Sequence, residues 1–380
     1  MAARKPLLTL GVEEEYLIVD LETRLLATEQ PAGFMDRCRE ALGDQVTHEL
    51  LQAQVEIGTS VCRNVDQIRK ELAGLRRTVS DCAREYGYGL IAASTHPSAS
   101  WRDQKSVDME RYRLLSQDFQ AIARRLVICG MHVHAGIDDD DLRIDLMNQA
   151  AYFLPHLLAL STSSPFWEGN DTGMKAFRPT IFGDLPRTGL PEEFQSYSDW
   201  LDLLRMMERT GVVDDPTKIW WDMRPSVKQP TLEMRVCDVC TRLEDAITIV
   251  AVYQSLLAFL FEQRAGNRTW RRYRQILLEE NKWRAQRYGV SGTLADYGRC
   301  ELVPMADLME ELKNLLRPHA DDLGCLAELE RVSGILSNGT SADRQLAVYY
   351  AAIESGADEH AARLAVVDWL LEESLEGVPA

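Results

Sequence analysis

The sequence predicts an α+β protein in which one sheet-based unit is wrapped and extended by helices. Three observations predict it. Four stretches, residues 7–20, 49–60, 126–137 and 231–238, carry polar groups at the two-residue period of a strand. From about residue 243 onward the apolar residues fall instead into stripes at helical spacing. No low-complexity linker separates the two regions, so residues 1–380 are expected to form a single domain, its helical third (about 243–380) packed on the sheet unit.

Composition narrows the function. The 380 residues are 46% hydrophobic, ample for a substantial core. The 42 basic residues face 59 acidic ones, a formal charge of −17, which argues against nucleic acid or an anionic membrane surface as the main partner. The most apolar run, 246–261, is broken by Gln254 and Ser255 and reads as too short to span a bilayer. The start, MAARKPLLTLGVEEE, lacks the apolar core and small-residue cleavage site of a secretion signal. Eight scattered cysteines suggest reduced thiols and a cytoplasmic setting; Cys237 and Cys240 have the C-x-x-C spacing without a second pair, which favours packing over zinc.

In the first strand, LLTLGVEEEYLIVD, Glu13 and Glu15 share a face with Thr9 and Gly11, while Glu14 joins Leu10, Val12, Tyr16 and Ile18. Two carboxylates facing the same way in a burying strand repel and resist ionisation unless a cation lies between them, and a hard divalent ion is the natural partner. A strand end emerging into water, all three glutamates solvated, is the other reading. Residues 25–49 read as loop with a short helix near 33–41. In 49–60, Gln52, Gln54 and Glu56 share a face if extended; Glu49 has the opposite parity and meets Glu56 only through a bulge or turn. Asn64 and Asp66 offer caps for a helix whose stripe is Ile68, Leu72, Leu75, Val79 and Cys82.

A buried strand over 88–94 and an amphipathic helix over 107–125 come next. In the following strand His132 and His134 share a face with Gly130 and Gly136, which leave room for a ligand close to the backbone. This H-x-H pattern reads either as a metal or phosphate signal or as a hydrogen-bonded structural pair. After a helix over 142–160, residues 161–191 form a long loop, a length that usually serves binding. Arg178 and Arg187 are its cations best suited to a carboxylate or phosphate. A helix over 194–210 leads to IWWDMRP at 219–225 and then TLEMRVCD, where Thr231, Glu233 and Arg235 share a face.

Four strands thus present Glu13 and Glu15, Glu56 with Gln54, His132 with His134, and Glu233 with Arg235. That set suits hard cations better than thiolate-bound zinc. Magnesium usually bridges carboxylates to substrate phosphates, which makes a nucleoside triphosphate the implied second partner.

The runs GVEEE (11–15), ELLQAQVEIGTSVC (49–62), GMHVHAG (130–136), SPFWEG (164–169), WWDMR (220–224), TLEMRVCD (231–238), ENKWRAQRYG (280–289) and GTSADRQL (339–346) together resemble the glutamate–cysteine ligase type 2 family, nearest its YbdK-like carboxylate-amine ligase subfamily. The resemblance implies a fold similar to the catalytic domain of glutamine synthetase and the guanidino kinases: a curved antiparallel sheet, helices on its convex side, the site in its concave face. It implies an enzyme that uses ATP and Mg2+ to convert a glutamate-like acid to an acyl phosphate, which a cysteine-like amine attacks to give an amide. A weak or broader ligase of this type, a homodimer, is expected.

The same resemblance implies that Glu13, Glu15, Glu49, Glu56, His134 and Glu233 hold two or three magnesium ions. Glu233 and Arg235 would be catalytic, Arg235 stabilising the transferring phosphoryl group. Arg178, with Gln54 and Arg187, would bind the acid substrate; His132 and Arg344 would bind nucleotide. Met174, Ala176 and Phe182 stand where the family pattern expects an aromatic, a serine and a tryptophan, which bears on the acid more than on the chemistry. Two other readings remain open: a guanidino-kinase-like phosphotransferase, and a nucleotide- or metal-binding protein without turnover.

Overall fold

The computed structural model describes residues 5–379; residues 1–4, part of the basic start read above, and residue 380 lie outside them. The protein is organised on a seven-stranded sheet of β1 (Leu10–Asp20), β2 (Val46–His48), β3 (Gln54–Gly58), β4 (Tyr88–Ile91), β5 (Met131–Gly136), β6 (Met223–Pro225) and β7 (Thr231–Met234). The order is β6-β7-β5-β1-β3-β2, β4 pairs with the C-terminal part of β1, and all these pairings are antiparallel. At 11 residues β1 is the longest strand and pairs with β3, β4 and β5. Its alternation is the expected one. Leu10, Val12, Glu14 and Tyr16 are buried, whereas Gly11, Glu13 and Glu15 are only partly so.

Helices cover the face that carries Leu10 to Tyr16. The Val65–Glu85 helix starts where the sequence places its cap, with Asn64 accepting from the Gln67 N–H at 3.0 Å, and buries the whole expected stripe. The Leu243–Ala265 helix packs against it and against the Asp140–Ala150 and Met305–Leu323 helices. Two of its polar groups reach the sheet layer: Tyr253 Oη donates to the Leu232 carbonyl at 3.0 Å and Gln254 to the Leu8 carbonyl at 2.8 Å. At 23 residues this helix is longer than the run 246–261 suggested, and it is long and apolar enough to cross a membrane. Here 89% of its apolar window is buried inside the protein. Buried residues of the sheet and of the helical third belong to one contiguous core.

Several boundaries differ from the sequence reading. The stretch 49–60 is a hairpin arm, because Glu49–Ala53 forms the turn between β2 and β3 and Thr47 pairs with Glu56. The helix expected over 107–125 is two, Glu110–Phe119 and Ala121–Arg124, separated by Gln120 at a positive φ of 48°. Segment 126–130 is not strand; its backbone serves the site instead. In the last third, turns at Gly324 and Gly356 split the stripes, and a short hairpin, Thr293–Asp296 with Glu301–Pro304, went unread.

Candidate active site

Strand register brings the polar groups together. Glu15 lies opposite Glu56 on β3, Glu13 opposite His132 on β5, and His134 opposite Glu233 on β7. The turn before β3 adds Glu49, as its parity required. These seven line a cavity of about 400 Å³ together with Gln54, Arg178 and Arg235. Carboxylate oxygens of Glu15, Glu49 and Glu56 lie within 4.8 Å of one another, a donor set of the size and chemistry that a hard divalent cation takes.

Burial and the repulsion of neighbouring carboxylates make Glu15 and Glu56 reluctant to ionise. Burial first, and then the Glu49 charge, pushes the Glu15 carboxyl up to about 8, although the Gly130 N–H donates to it at 2.7 Å. Glu56 is raised well above the carboxylate range for the same two reasons. Glu13 behaves oppositely. Burial opposes its charge, but His132, hydrogen-bonded to it, and the neighbouring His134 outweigh burial and hold its pKa low.

The histidines divide their work. His132 Nδ1 sits 3.0 Å from Glu13 Oε2, and its Nε2 sits 3.1 Å from an Arg235 nitrogen that can only donate. The proton therefore belongs on Nδ1, giving a neutral ring, in line with burial and Arg235 pulling its pKa down to about 4. His134 Nδ1 meets Thr231 Oγ1 at 3.0 Å, while its buried Nε2 has no hydrogen-bond partner and stands 3.6 Å from Glu13 Oε1. A free, buried imidazole nitrogen beside a carboxylate is a second place fitted to a cation.

Glu233 is held between two arginines. Arg224 Nε donates to its Oε2 at 3.0 Å and Arg224 NH2 to its Oε1 at 3.4 Å, while Arg235 NH2 also pairs with Oε1. Burial opposes the Glu233 charge, but Arg235 and then Arg224 hold its pKa low. Arg235 keeps its buried Nε unpartnered, a donor left for an anion.

The family model for glutamate–cysteine ligase family 2 (GCS2) matches residues 9–365. The chain belongs to that family. A relative from Rhodospirillum rubrum, named "Putative glutamate--cysteine ligase 2", is 50% identical over 98% of this chain and 97% of its own length. One of the same name from Jannaschia sp. strain CCS1 is 47% identical over 96% of each. Among solved structures, a glutamate–cysteine ligase from Francisella tularensis in complex with AMP superposes with a TM-score of 0.66 at 13% identity, over 100% of this chain and 94% of that one. A bifunctional glutathione synthetase from Pasteurella multocida gives 0.68 at 15% identity, over 97% of this chain and 53% of that one. These two show the fold. The protein is a carboxylate-amine ligase of the glutamate–cysteine ligase type.

In this ligase the long loop delivers one buried cation. Arg178 is 4% exposed and lies in the space a Cβ at residue 130 would occupy, so Gly130 makes room for a protein guanidinium rather than for a ligand. Gly136 likewise makes room for Thr9. Ser164 Oγ accepts from the Arg178 N–H at 3.0 Å and donates to the buried Asp238 at 2.7 Å, so the SPFWEG and TLEMRVCD motifs jointly set where Arg178 emerges. Ser164→Ala is expected to raise KM for the acid about fivefold, the worth of one net hydrogen bond, with a smaller change in kcat; steady-state kinetics check it.

Other expected site residues lie elsewhere or are already engaged. Gln54 lines the cavity, but its amide bonds the Ile128 carbonyl at 2.7 Å and the Leu51 N–H at 3.2 Å, holding the hairpin. Arg187 is not among the lining residues; its guanidinium lies against the Phe119 and Trp220 rings and donates to the Lys218 carbonyl. Arg344 pairs with Asp245 at 2.7 Å, also away from the cavity lining. Arg224 received no role from the sequence. Its parity in the strand facing Glu233 was the available signal. Arg111, Tyr112 and Lys228 also line the cavity without having been singled out.

Proposed function

We propose that this ligase is ATP- and Mg2+-dependent and forms an amide through an acyl phosphate, as a weak glutamate–cysteine ligase type of carboxylate-amine ligase. The observation that carries it is the convergence, in one cavity, of five glutamates from four chain segments with Arg178, Arg224 and Arg235. A carboxylate oxygen of the acid attacks the terminal phosphorus and the bond to ADP breaks. The amine nitrogen then attacks the acyl carbon, the C–O bond to phosphate breaks, and the nitrogen loses a proton.

The chain's own groups divide these tasks. Glu15, Glu49 and Glu56 would hold one magnesium ion, and Glu13 with His134 a second. Glu233 faces His134, and its roughly four lone-pair sites leave capacity for a cation beyond its arginines. The metal supplies charge neutralisation of the triphosphate. Arg235 offers its free Nε to the transferring phosphoryl group, with neutral His132 fixing its orientation. Arg178 orients the acid. Eight free cysteines, seven of them buried, support the cytoplasmic part of the reading, and the continuous core supports one catalytic unit; a homodimer, common among soluble enzymes, is tested by sedimentation.

The test is ADP and phosphate release with ATP, Mg2+, a carboxylic acid and an amine, with the product identified by mass. Release requiring all four and yielding a condensed product supports the ligase; a phosphorylated product, or binding without turnover, overturns it. Magnesium affinity carries a pH signature. Glu15 keeps its proton up to about 8, and a cation must displace that proton. Glu56 is raised in the same direction, so affinity is expected to rise with pH and Mg2+ to raise Tm more at pH 8.5 than at pH 6.5, read by thermal melts.

A further inference from the structure

Residues 280–288, ENKWRAQRY, line no part of the active-site cavity, yet the helix they complete, Gln275–Tyr288, grips the chain beside both Arg178 and Arg235. Near its C-terminal end the Gln286 carbonyl accepts from the N–H groups of Lys175 at 2.7 Å and Ala176 at 3.0 Å, just before Arg178. One turn earlier, Lys282 Nζ donates to Asp222 Oδ2 at 2.6 Å. The two side chains are 13% and 9% exposed, and among the described residues Lys282 is the only cation at ion-pair distance from Asp222.

Asp222 forms the corner between the two-residue strand Trp220–Trp221 and β6. Its carbonyl accepts from the N–H groups of Arg235 at 2.8 Å and Val236 at 3.1 Å, and its own N–H donates to the Gly189 carbonyl at 2.7 Å. Since β7 ends at Met234, this corner holds the backbone that carries Arg235. Glu233 and His132 hold the two terminal nitrogens of the Arg235 guanidinium from within the sheet. Lys282 adds a hold from the helical third, through Asp222.

We propose that Lys282 is a positioning residue for phosphoryl transfer: it touches no substrate and acts through Asp222 to fix where Arg235 stands. This rests on the ligase reading above. Without Lys282 the Asp222 carboxylate is left little exposed and unpaired, and it gains by turning toward water. The corner turns with it and takes the Arg235 backbone along. A displacement of about 1 Å in a group that stabilises the transferring phosphoryl costs on the order of 100-fold in rate.

Lys282→Met keeps the aliphatic stem and removes the charge. Turnover is followed with ATP, Mg2+, L-glutamate and hydroxylamine, whose nitrogen displaces phosphate from an acyl phosphate to give a hydroxamate. In Lys282→Met, kcat is expected to fall about tenfold to 100-fold while KM for ATP stays within about threefold, because the metal-binding groups are untouched. Lys282→Arg, which keeps a cation for Asp222, is expected to hold kcat within about threefold of the wild type. Asn281→Ala is the structural control: it breaks two hydrogen bonds to the Ala295 backbone and is expected to lower Tm with kcat unchanged. In an Arg235→Lys background, Lys282→Met is expected to cost less than about threefold more, since the contact it positions is already lost. A folded Lys282→Met protein with wild-type kcat, equal kcat losses from Lys282→Met and Asn281→Ala, or full multiplication of the two losses in the double variant overturns the proposal. If Lys282→Met fails to fold, Asp222→Asn, which keeps the size of the corner, is read in the same way. No hydroxamate from the wild type overturns the ligase reading itself.

Discussion

Replacing Glu233 by glutamine is expected to lower kcat by roughly 10³-fold and to lower Tm by several degrees. The kinetic loss follows from the geometry of Arg235, which Glu233 holds from two residues earlier in the chain while a second guanidinium nitrogen meets His132. An arginine that stabilises a transferring phosphoryl group carries effects of this size, and freeing it from its carboxylate lets it settle elsewhere. The stability loss has a separate cause. Glu233 is 2% exposed, and its charge offsets two arginines that are themselves little exposed. Removing one charge of a buried cluster leaves the others unpaired, a cost of about 3–5 kcal/mol when nothing relaxes. Single-turnover kinetics at a temperature where the variant remains folded separate the two. Full turnover in a folded E233Q protein would confine Glu233 to a structural role.

Glu14→Ala is expected to destabilise the protein by about 3–5 kcal/mol. On the opposite face of β1 from the active site, Glu14 and Arg76 form an ion pair in which both side chains are 0% exposed. Arg76 donates twice to Glu14, at 2.7 and 2.9 Å, and also to the carbonyls of Cys240 at 2.8 Å and Thr241 at 2.7 Å. Tyr16 adds its hydroxyl to the same carboxylate. Without Glu14 the guanidinium stays buried and uncompensated. The double variant Glu14→Leu with Arg76→Met is expected to recover most of the loss, because a well-packed apolar pair avoids both desolvation costs. Denaturant melts of the two singles and the double form the cycle; an additive double variant would show that the pair is not coupled.

Much of the site was legible because it is built on strands. A two-residue period places Glu13 with Glu15, His132 with His134 and Glu233 with Arg235 whatever the strands pair with, and the structure keeps each of these pairings of faces. The Asn64 cap and the stripe of its helix were equally local and equally readable. Glu49 shows where such reasoning thins out: its parity demanded a turn, yet only the hairpin with β2, a three-residue strand without a pattern of its own, supplies it. Arg76 was invisible as a partner because it lies 62 residues from Glu14 on a helix whose other buried residues are mostly apolar. Arg187 and Arg344 had the right chemistry for anions, but their neighbours in space, two aromatic rings and Asp245, engage them.

The sequence by itself determined which side chains of each strand face together, where the main helices begin, and, through its ordered motifs, the family to which the ligase belongs. Tertiary structure decided which strands are neighbours and in what register, and hence that Glu15 meets Glu56 and that two arginines close on Glu233. The physical reason is range. Backbone period and capping act over a few residues, whereas the repulsion and pairing that set the charge state of this site act between groups that only the folded sheet makes adjacent.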